Sequence, residues 1–377
     1  MGHSADIVVV GAGPVGSVVA RLCADRLGWK VLVLDRRSHV AGNCHDRLHK
    51  SGVLVHAYGP HYFRTNDEKI IAYLSGFTRW IPGNYIVRSS VGGVLYPFPV
   101  NLTTLEMFFK RSLTKAQARE LLGLLAERCE NPANSEEFVL SRVGRELYEK
   151  FYRGYTIKQW GRHPRELSPD VCGRIPIRLN RVESYVDHKF QLMPRDGFTA
   201  MFAKMLAHPN IRVTLDVDYR RARTTFKGAR AMLYTGAIDE YFDSRLGALP
   251  WRSVKIDWAQ YKREWKQPCA QINYPNERPY TRSVEIKHVT GQKHPHTVVA
   301  YETPAATGEP CYPMPLPRAR ELYGRYRELA EEETRRRKVY FAGRLATYSY
   351  INTDEAVASA FEIFERIKRE RGAGARP

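Results

Sequence analysis

The chain has 377 residues, 43% of them hydrophobic and 26% charged, which suits a globular protein of two or three domains and excludes a disordered chain, a collagen-like repeat or a disulfide miniprotein. Its formal net charge of +19, from 59 Lys and Arg against 40 Asp and Glu, favours anionic partners such as nucleotides and phosphorylated sugars. No zinc-finger, RNA-recognition or basic-helix pattern accompanies that charge, so no nucleic-acid role is expected.

In chain order, Asp6–Val10 reads as a buried β-branched strand, and Gly11-Ala12-Gly13-Pro14-Val15-Gly16 turns it into a helix with apolar positions Val15, Val18, Val19 and Leu22. Gly28 ends that helix, and Lys30–Leu34 is a second strand closing on Asp35. Thr114-Lys115-Ala116-Gln117 is a capping-box start for a helix striped by Leu121, Leu122 and Leu125. Asn131-Pro132 breaks it, and one further helix is expected to carry Phe138, Val139, Val143, Leu147, Phe151 and Tyr155. Short β segments dominate from Tyr185 to Tyr301. Arg282–Val289 alternates with Val284 and Ile286 on one face, and Thr297–Tyr301 is another strand. Pro304–Pro317 reads as a loop, Val339–Phe341 as a strand, and a last helix begins near Asn352 with Glu355 completing its cap and Val357, Ala360, Phe361, Phe364 and Ile367 as its buried stripe.

A β-α-β start and a strand-helix end around a middle of different texture predict an α/β fold with a discontinuous Rossmann-like nucleotide-binding domain and an inserted middle. The cysteines Cys23, Cys44, Cys129, Cys172, Cys269 and Cys311 contain no C-x-x-C and suggest no metal site, so a reducing cytoplasm is the default. Met1-Gly2-His3-Ser4 has no basic signal-peptide start, and no apolar run approaches the roughly 18 residues of a membrane span.

Gly11, Gly13 and Gly16 form G-x-G-x-x-G between a strand and a helix. Gly11 permits the tight turn, Gly13 lets the backbone approach a pyrophosphate, and Gly16 lets helix and strand pack closely, while the helix N-terminus offers amide donors. Asp35 is placed to accept hydrogen bonds from a ribose, so a dinucleotide is expected. The small-residue turn Ala41-Gly42-Asn43 after Arg36 and Arg37, and the late Gly343-Arg344 turn, suit an extended cofactor such as FAD, although NAD remains open on these features alone. Arg174, Arg178, Arg282 and Arg344 each stand beside a structural transition and could clasp phosphate; Tyr155 and Trp160 could stack a base or belong to the core.

Several longer motifs resemble the UDP-galactopyranose mutases of bacteria nearly end to end. They include His39–Asn43, Tyr58–Asp67, Gly154–Arg162, Arg174–Arg178, Tyr234–Asp239, Pro279–Arg282, Glu309–Pro313 and Gly343–Ala346. The resemblance implies FAD, active when reduced, and a redox-neutral ring contraction of a nucleotide-bound hexose through an adduct at the flavin N5. It implies a homodimer and three parts. These are an FAD domain (1–80, 210–250 and 335–377), a helical domain with a mobile substrate loop (101–180), and an antiparallel sheet domain (81–100, 181–209 and 251–334). By the same resemblance Gly11, Gly13, Gly16, Asp35, Arg36, Gly42, Asn43, His61 and Arg344 hold the cofactor. Arg174 and Arg282 stabilise the leaving diphosphate, and Tyr312 and Tyr350 donate hydroxyls to it. Tyr155, Trp160 and Asn273 line the base and ribose site, Tyr185 sits by the diphosphate, and Arg64 and Asn352 lie at the sugar.

The departures cluster around sugar and nucleotide. Arg64 stands where the galactose enzymes carry a second histidine, Asn352 where they carry an aspartate facing the sugar, and Pro60 where they carry alanine. The stretches Trp80–Asn84, Phe151–Arg153 and Met193–Gly197 differ as well. The expectation is retained chemistry on an altered sugar: UDP-galactose by resemblance, or another nucleotide hexose, including a GDP-linked one. An FAD-dependent oxidase on the same cofactor fold, and a binder of anionic polymers, are the readings from other classes.

Overall fold

Ile7–Val10 is the middle of a five-stranded parallel sheet in a computed structural model that describes residues 5–223 and 228–373. Residues 1–4, read above for a signal, lie outside the described residues. The order across the sheet is Ile211–Thr214, Val31–Leu34, Ile7–Val10, Ala231–Tyr234 and Val339–Phe341. A strand covered on both faces needs apolar residues throughout, which Ile7-Val8-Val9-Val10 supplies. Each such buried Val or Leu contributes about 1.5–3 kcal/mol.

The first helix, Pro14–Leu27, ends at Gly28 in the left-handed region (φ 65°). It packs against the last helix, Thr353–Ala373, and against Phe198–Leu206. The last helix starts as expected, with the Asn352 N–H donating to Glu355 Oε2 at 2.7 Å.

A seven-stranded sheet forms the second layer, in the order Tyr312–Pro313, Trp251–Tyr261, Thr297–Ala305, Arg282–Val284, Gln271–Asn273, Val87–Val91 and Val94–Phe98. It is antiparallel except where Gln271–Asn273 runs parallel to Val87–Val91. Phe63–Thr65, Phe190–Pro194 and Trp80–Pro82 make a three-stranded sheet beside it. The helical part comprises Leu102–Phe109, Lys115–Leu125, Ser135–Leu147, Gly154–Trp160 and Asp170–Gly173. Thr114 and Gln117 form the expected reciprocal cap.

Four expectations need correction. The single helix from Phe138 to Tyr155 is interrupted: Gly144 has φ 77°, and a Cβ there would lie 2.2 Å from the Leu125 carbonyl oxygen. A π-helical turn, Tyr148–Arg153, follows and re-aims Phe151 and Tyr152. The strand from Arg282 stops at Val284 because Lys287–Thr290 is a short helix with Ile286 as its N-cap. The proline-rich loop is shorter than expected, since Thr297–Ala305 is a long strand.

The fourth correction concerns the helix Pro317–Arg337, which sequence reading passed over. Its buried side is only Ala319, Tyr326, Ala330 and Thr334, too narrow a stripe to stand out among Arg and Glu. Glu332–Arg336 and Glu333–Arg337 pair along it at 3.0 and 3.4 Å. The basic run Arg335–Lys338 is its last turn, a favourable end for cations. This helix packs on Val339–Phe341, although 317–334 was assigned to the sheet domain. Phe198–Leu206, assigned there too, packs on the first helix.

Candidate active site

Two grooves meet in the middle of the molecule. The first runs over the parallel sheet and is lined by Gly11, Gly13, Asp35, Arg36, Gly42, Asn43, Tyr219, Thr235, Gly343 and Arg344, among others. Its floor is main chain. Gly11 has φ 109°, and a Cβ there would strike Thr235 Oγ1 at 1.9 Å; one on Gly16 would strike the Gly11 carbonyl oxygen at 1.9 Å. Those two glycines are required by the fold itself. Gly13 is different. Its φ is −79°, and a Cβ would meet only the Gly42 Cα at 3.7 Å. Protein packing leaves room there, so the bare backbone is explained by a ligand's close approach. No side chain caps the helix that starts after Gly13, which leaves its first amides open to an anion.

Asp35 is buried and already oriented. Its Oδ2 accepts the Ala12 N–H at 2.7 Å and its Oδ1 the Arg37 N–H at 2.9 Å, so the carboxylate is held at the groove edge with lone pairs to spare for a ribose. Arg36 reaches Glu240 across the same end at 3.6 Å. The residues therefore fit an extended dinucleotide such as FAD, with its diphosphate at the glycines and its ring end at His61, Arg344, Asn352 and Thr353, which line both grooves.

The second groove is a cleft of about 710 Å³ between the helical part and the large sheet. The structure brings to it Arg64, Tyr155, Trp160, Arg174, Tyr185, Asn273, Arg282, Tyr312, Tyr350 and Asn352. Arg178 does not join them. It is buried and clamps its own loop, donating to the Ser184 carbonyl at 2.8 Å and to Asp187 at 2.9 Å.

Arg282 lies opposite Glu302 across two antiparallel strands. Its Nε donates to Glu302 Oε2 at 2.7 Å, and one terminal nitrogen reaches the Tyr312 hydroxyl at 3.3 Å. Burial works against the Arg282 charge, but Glu302 and the surrounding tyrosine hydroxyls outweigh it and push its pKa well above the usual value. Glu302 is 1% exposed, and its Oε1 has no protein partner. Tyr312 and Tyr350 stack with ring centroids 5.6 Å apart. The Arg174 guanidinium sits 4.2 Å over the Tyr350 ring and that of Arg344 5.0 Å. Burial raises the Tyr350 pKa, yet Arg174, Arg344, Arg282 and Arg64 together overcome this and leave it below the usual phenol value. Tyr350 has 40% of its surface exposed, on a wall of the cleft. The cleft is thus a concentrated positive field lined with hydroxyl donors, which suits a diphosphate.

Burial drives the His61 pKa down to about 3 and, with it, that of His56, so both rings are neutral at physiological pH. Arg344 is fixed between the carbonyls of Ile351 (2.7 Å) and Cys311 (3.3 Å). At the far end Trp160 meets Tyr312 edge-on, and Asn273 Oδ1 accepts from Gln271 Nε2 at 2.7 Å. Tyr85 donates to that Gln271, and Tyr62 stacks on Tyr85 at 4.6 Å.

Asn352 was expected to present its amide to the sugar. It lines both grooves, with its Oδ1 accepting from Arg64 at 3.0 Å and its Nδ2 donating to Glu355 at 2.9 Å. Sequence reading also missed Glu302, Gln271, Tyr62 and Tyr85. Only Glu302 left a signal, a glutamate at an alternating position of the strand that faces Arg282.

The family model described as UDP-galactopyranose mutase matches residues 150–350, and an NAD(P)-binding Rossmann-like domain model matches residues 9–77. A dTDP-fucopyranose mutase of Escherichia coli is 34% identical, covering 94% of this chain and 96% of its own. A probable UDP-galactopyranose mutase of Klebsiella pneumoniae is 34% identical over 97% and 95%. A crystal structure of reduced UDP-galactopyranose mutase superposes with TM-score 0.74 over 97% of this chain and 95% of that one, at 16% identity, a likeness of fold. With its sequence relatives spanning nearly the whole chain and its arginine-rich cleft opening onto a dinucleotide groove, the chain belongs to the UDP-galactopyranose mutase family.

Proposed function

We propose that the protein is a flavin-dependent mutase that interconverts the pyranose and furanose forms of a nucleotide-diphosphate hexose. The observation that carries this reading is the junction of the two grooves at His61, Arg344 and Asn352, where a sugar bound in the cleft would meet the ring end of the dinucleotide. Reduced FAD, when bound, supplies a nucleophile for the anomeric carbon, and the overall reaction leaves its redox state unchanged.

The chain's own residues bind and orient. Arg174 and Arg282, with the Tyr312 and Tyr350 hydroxyls, hold the diphosphate, so that charge developing on it as the glycosidic bond breaks meets donors already in place. Glu302 keeps Arg282 aimed. Tyr155 and Trp160 flank the nucleoside, with Asn273 and Tyr185 nearby, and Arg36, Asp35 and Asn43 hold the dinucleotide. The loop bearing Arg174 covers the cleft and excludes water from an open-chain sugar. UDP-galactose is the substrate favoured by resemblance, with another nucleotide hexose, dTDP- or GDP-linked, as the alternative raised by the changes at Arg64 and Asn352. Six free cysteines support a reducing, cytoplasmic setting, and resemblance favours a homodimer.

Dithionite-reduced holoenzyme incubated with UDP-, dTDP- and GDP-hexoses should yield an isomer of unchanged mass. A product lighter by two hydrogens, with stoichiometric flavin reduction, would instead identify an oxidase.

A further inference from the structure

Of the four guanidinium groups around Tyr350, three have evident roles. Arg282 is neutralised by Glu302, Arg344 is held by two carbonyls, and Arg174 covers Tyr350 at the diphosphate end. Arg64 is unlike them. Its two protein partners are neutral, the Tyr62 hydroxyl at 2.6 Å and Asn352 Oδ1 at 3.0 Å. A guanidinium has five N–H donors and no acceptor, so the remaining donors have no partner among the described residues. Neither nearby carboxylate makes a hydrogen bond or ion pair with Arg64. Glu355 is engaged by the Asn352 main-chain N–H and Nδ2. Asp354 forms no ion pair with Arg64; burial pushes its carboxyl above the usual range, and the Arg64 charge opposes that shift without contact.

Arg64 and Asn352 both line the cleft. Glu355 takes one N–H of the Asn352 amide nitrogen, so the amide oxygen points to Arg64, and each end of that amide has one protein partner. Asn352 positions Arg64, and Arg64 lines the cleft beside the groove junction.

Resting on the mutase reading above, we propose that Arg64 is the sugar-reading residue of this protein and that its hexose bears a carboxylate, as a hexuronic acid does, directed at that guanidinium. A carboxylate accepts two parallel N–H bonds from arginine and neutralises a partly buried cation that a hydroxyl would leave unpaired.

The test compares UDP-galacturonate with UDP-galactose, a ratio within one nucleotide so that base preference cancels. For reduced holoenzyme, kcat/KM should favour the acidic sugar by roughly tenfold or more. Calorimetric binding to oxidised holoenzyme should show the same order without turnover. Arg64→Gln should bring both ratios to about one or below, whereas Arg64→Lys, which keeps the charge, should retain part of the preference. Flavin absorbance confirms that each variant is folded. A preference for UDP-galactose, or ratios unchanged in Arg64→Gln, overturns the proposal. Arg64-dependent binding of the acidic sugar without formation of any isomer would support the recognition site and sink the mutase reading, so the two can fail separately.

Discussion

The two grooves are built on opposite principles. The dinucleotide groove is built largely on short contiguous stretches, Gly11–Gly16, Ala41–Asn43 and Gly343–Arg344, in which Gly11 and Gly16 are set by close packing while Gly13 leaves room for a ligand. The substrate cleft is a side-chain surface, assembled from segments spread between Tyr58 and Glu355 and held by pairs such as Arg282–Glu302 and Arg64–Asn352. A backbone-built site tolerates little change, because a single Cβ closes it. A side-chain-built site can be re-specified by exchanging residues in pairs, provided each buried charge and amide stays satisfied. By such exchange one fold can keep its chemistry while its substrate changes.

The sharpest way to break that contrast is at Arg282. Arg282→Met leaves Glu302 buried and unpaired, and should cost about 3–5 kcal/mol of stability as well as nearly all turnover; denaturant melts and initial rates read both. Full stability would mean the pair does not organise the cleft. Arg174→Ala should lower kcat by about 10²–10³-fold with an unchanged melting temperature, since Arg174 is exposed; a rate within a few-fold of the parent would remove it from the diphosphate site. On the other side of the comparison, Gly13→Ala should leave the apoprotein as stable as the parent while FAD uptake, followed by absorbance, weakens by roughly tenfold or more, whereas Gly16→Ala should destabilise the fold itself. Equal FAD retention in Gly13→Ala would show that the ligand does not approach the backbone there.

The smallest effect concerns pH. Burial holds His56 and His61 at about 3 in the folded chain, against about 6.5 unfolded. Between those values the unfolded chain binds more protons, so this contribution is present in full above pH ~6.5 and is lost as pH falls towards ~3. Stability measured at pH 7, 5.5 and 4 should decline in that order, and less steeply in His56→Phe. Activity should show no limb near pH ~6.5 from His61, since its ring stays neutral throughout that region.

Legibility followed the same division. The first β-α-β unit, Asp35 at the end of its second strand, the caps at Thr114 and Asn352 and the stripe of the last helix were all readable, because each is decided by residues within a few positions of one another. The break at Gly144 was not, since it is imposed by Leu125 from a different helix. Nor was the helix Pro317–Arg337, whose narrow buried stripe acquires meaning only against Val339–Phe341. Within the cleft, the named residues did converge, while Arg178 proved to be a clamp and Asn352 is tied to both Arg64 and Glu355.

Local order in the chain was enough to determine a dinucleotide fold and the family to which it belongs, since glycine turns, caps and strand–helix periodicity are properties of neighbouring residues. Tertiary structure alone decided which charges are paired. Glu302 neutralises Arg282 through strand register, while Arg64 lies in the cleft with only neutral hydrogen-bond partners, Tyr62 and Asn352. Pairing depends on distances between residues far apart in the chain, and those distances exist only once the sheets and helices have packed.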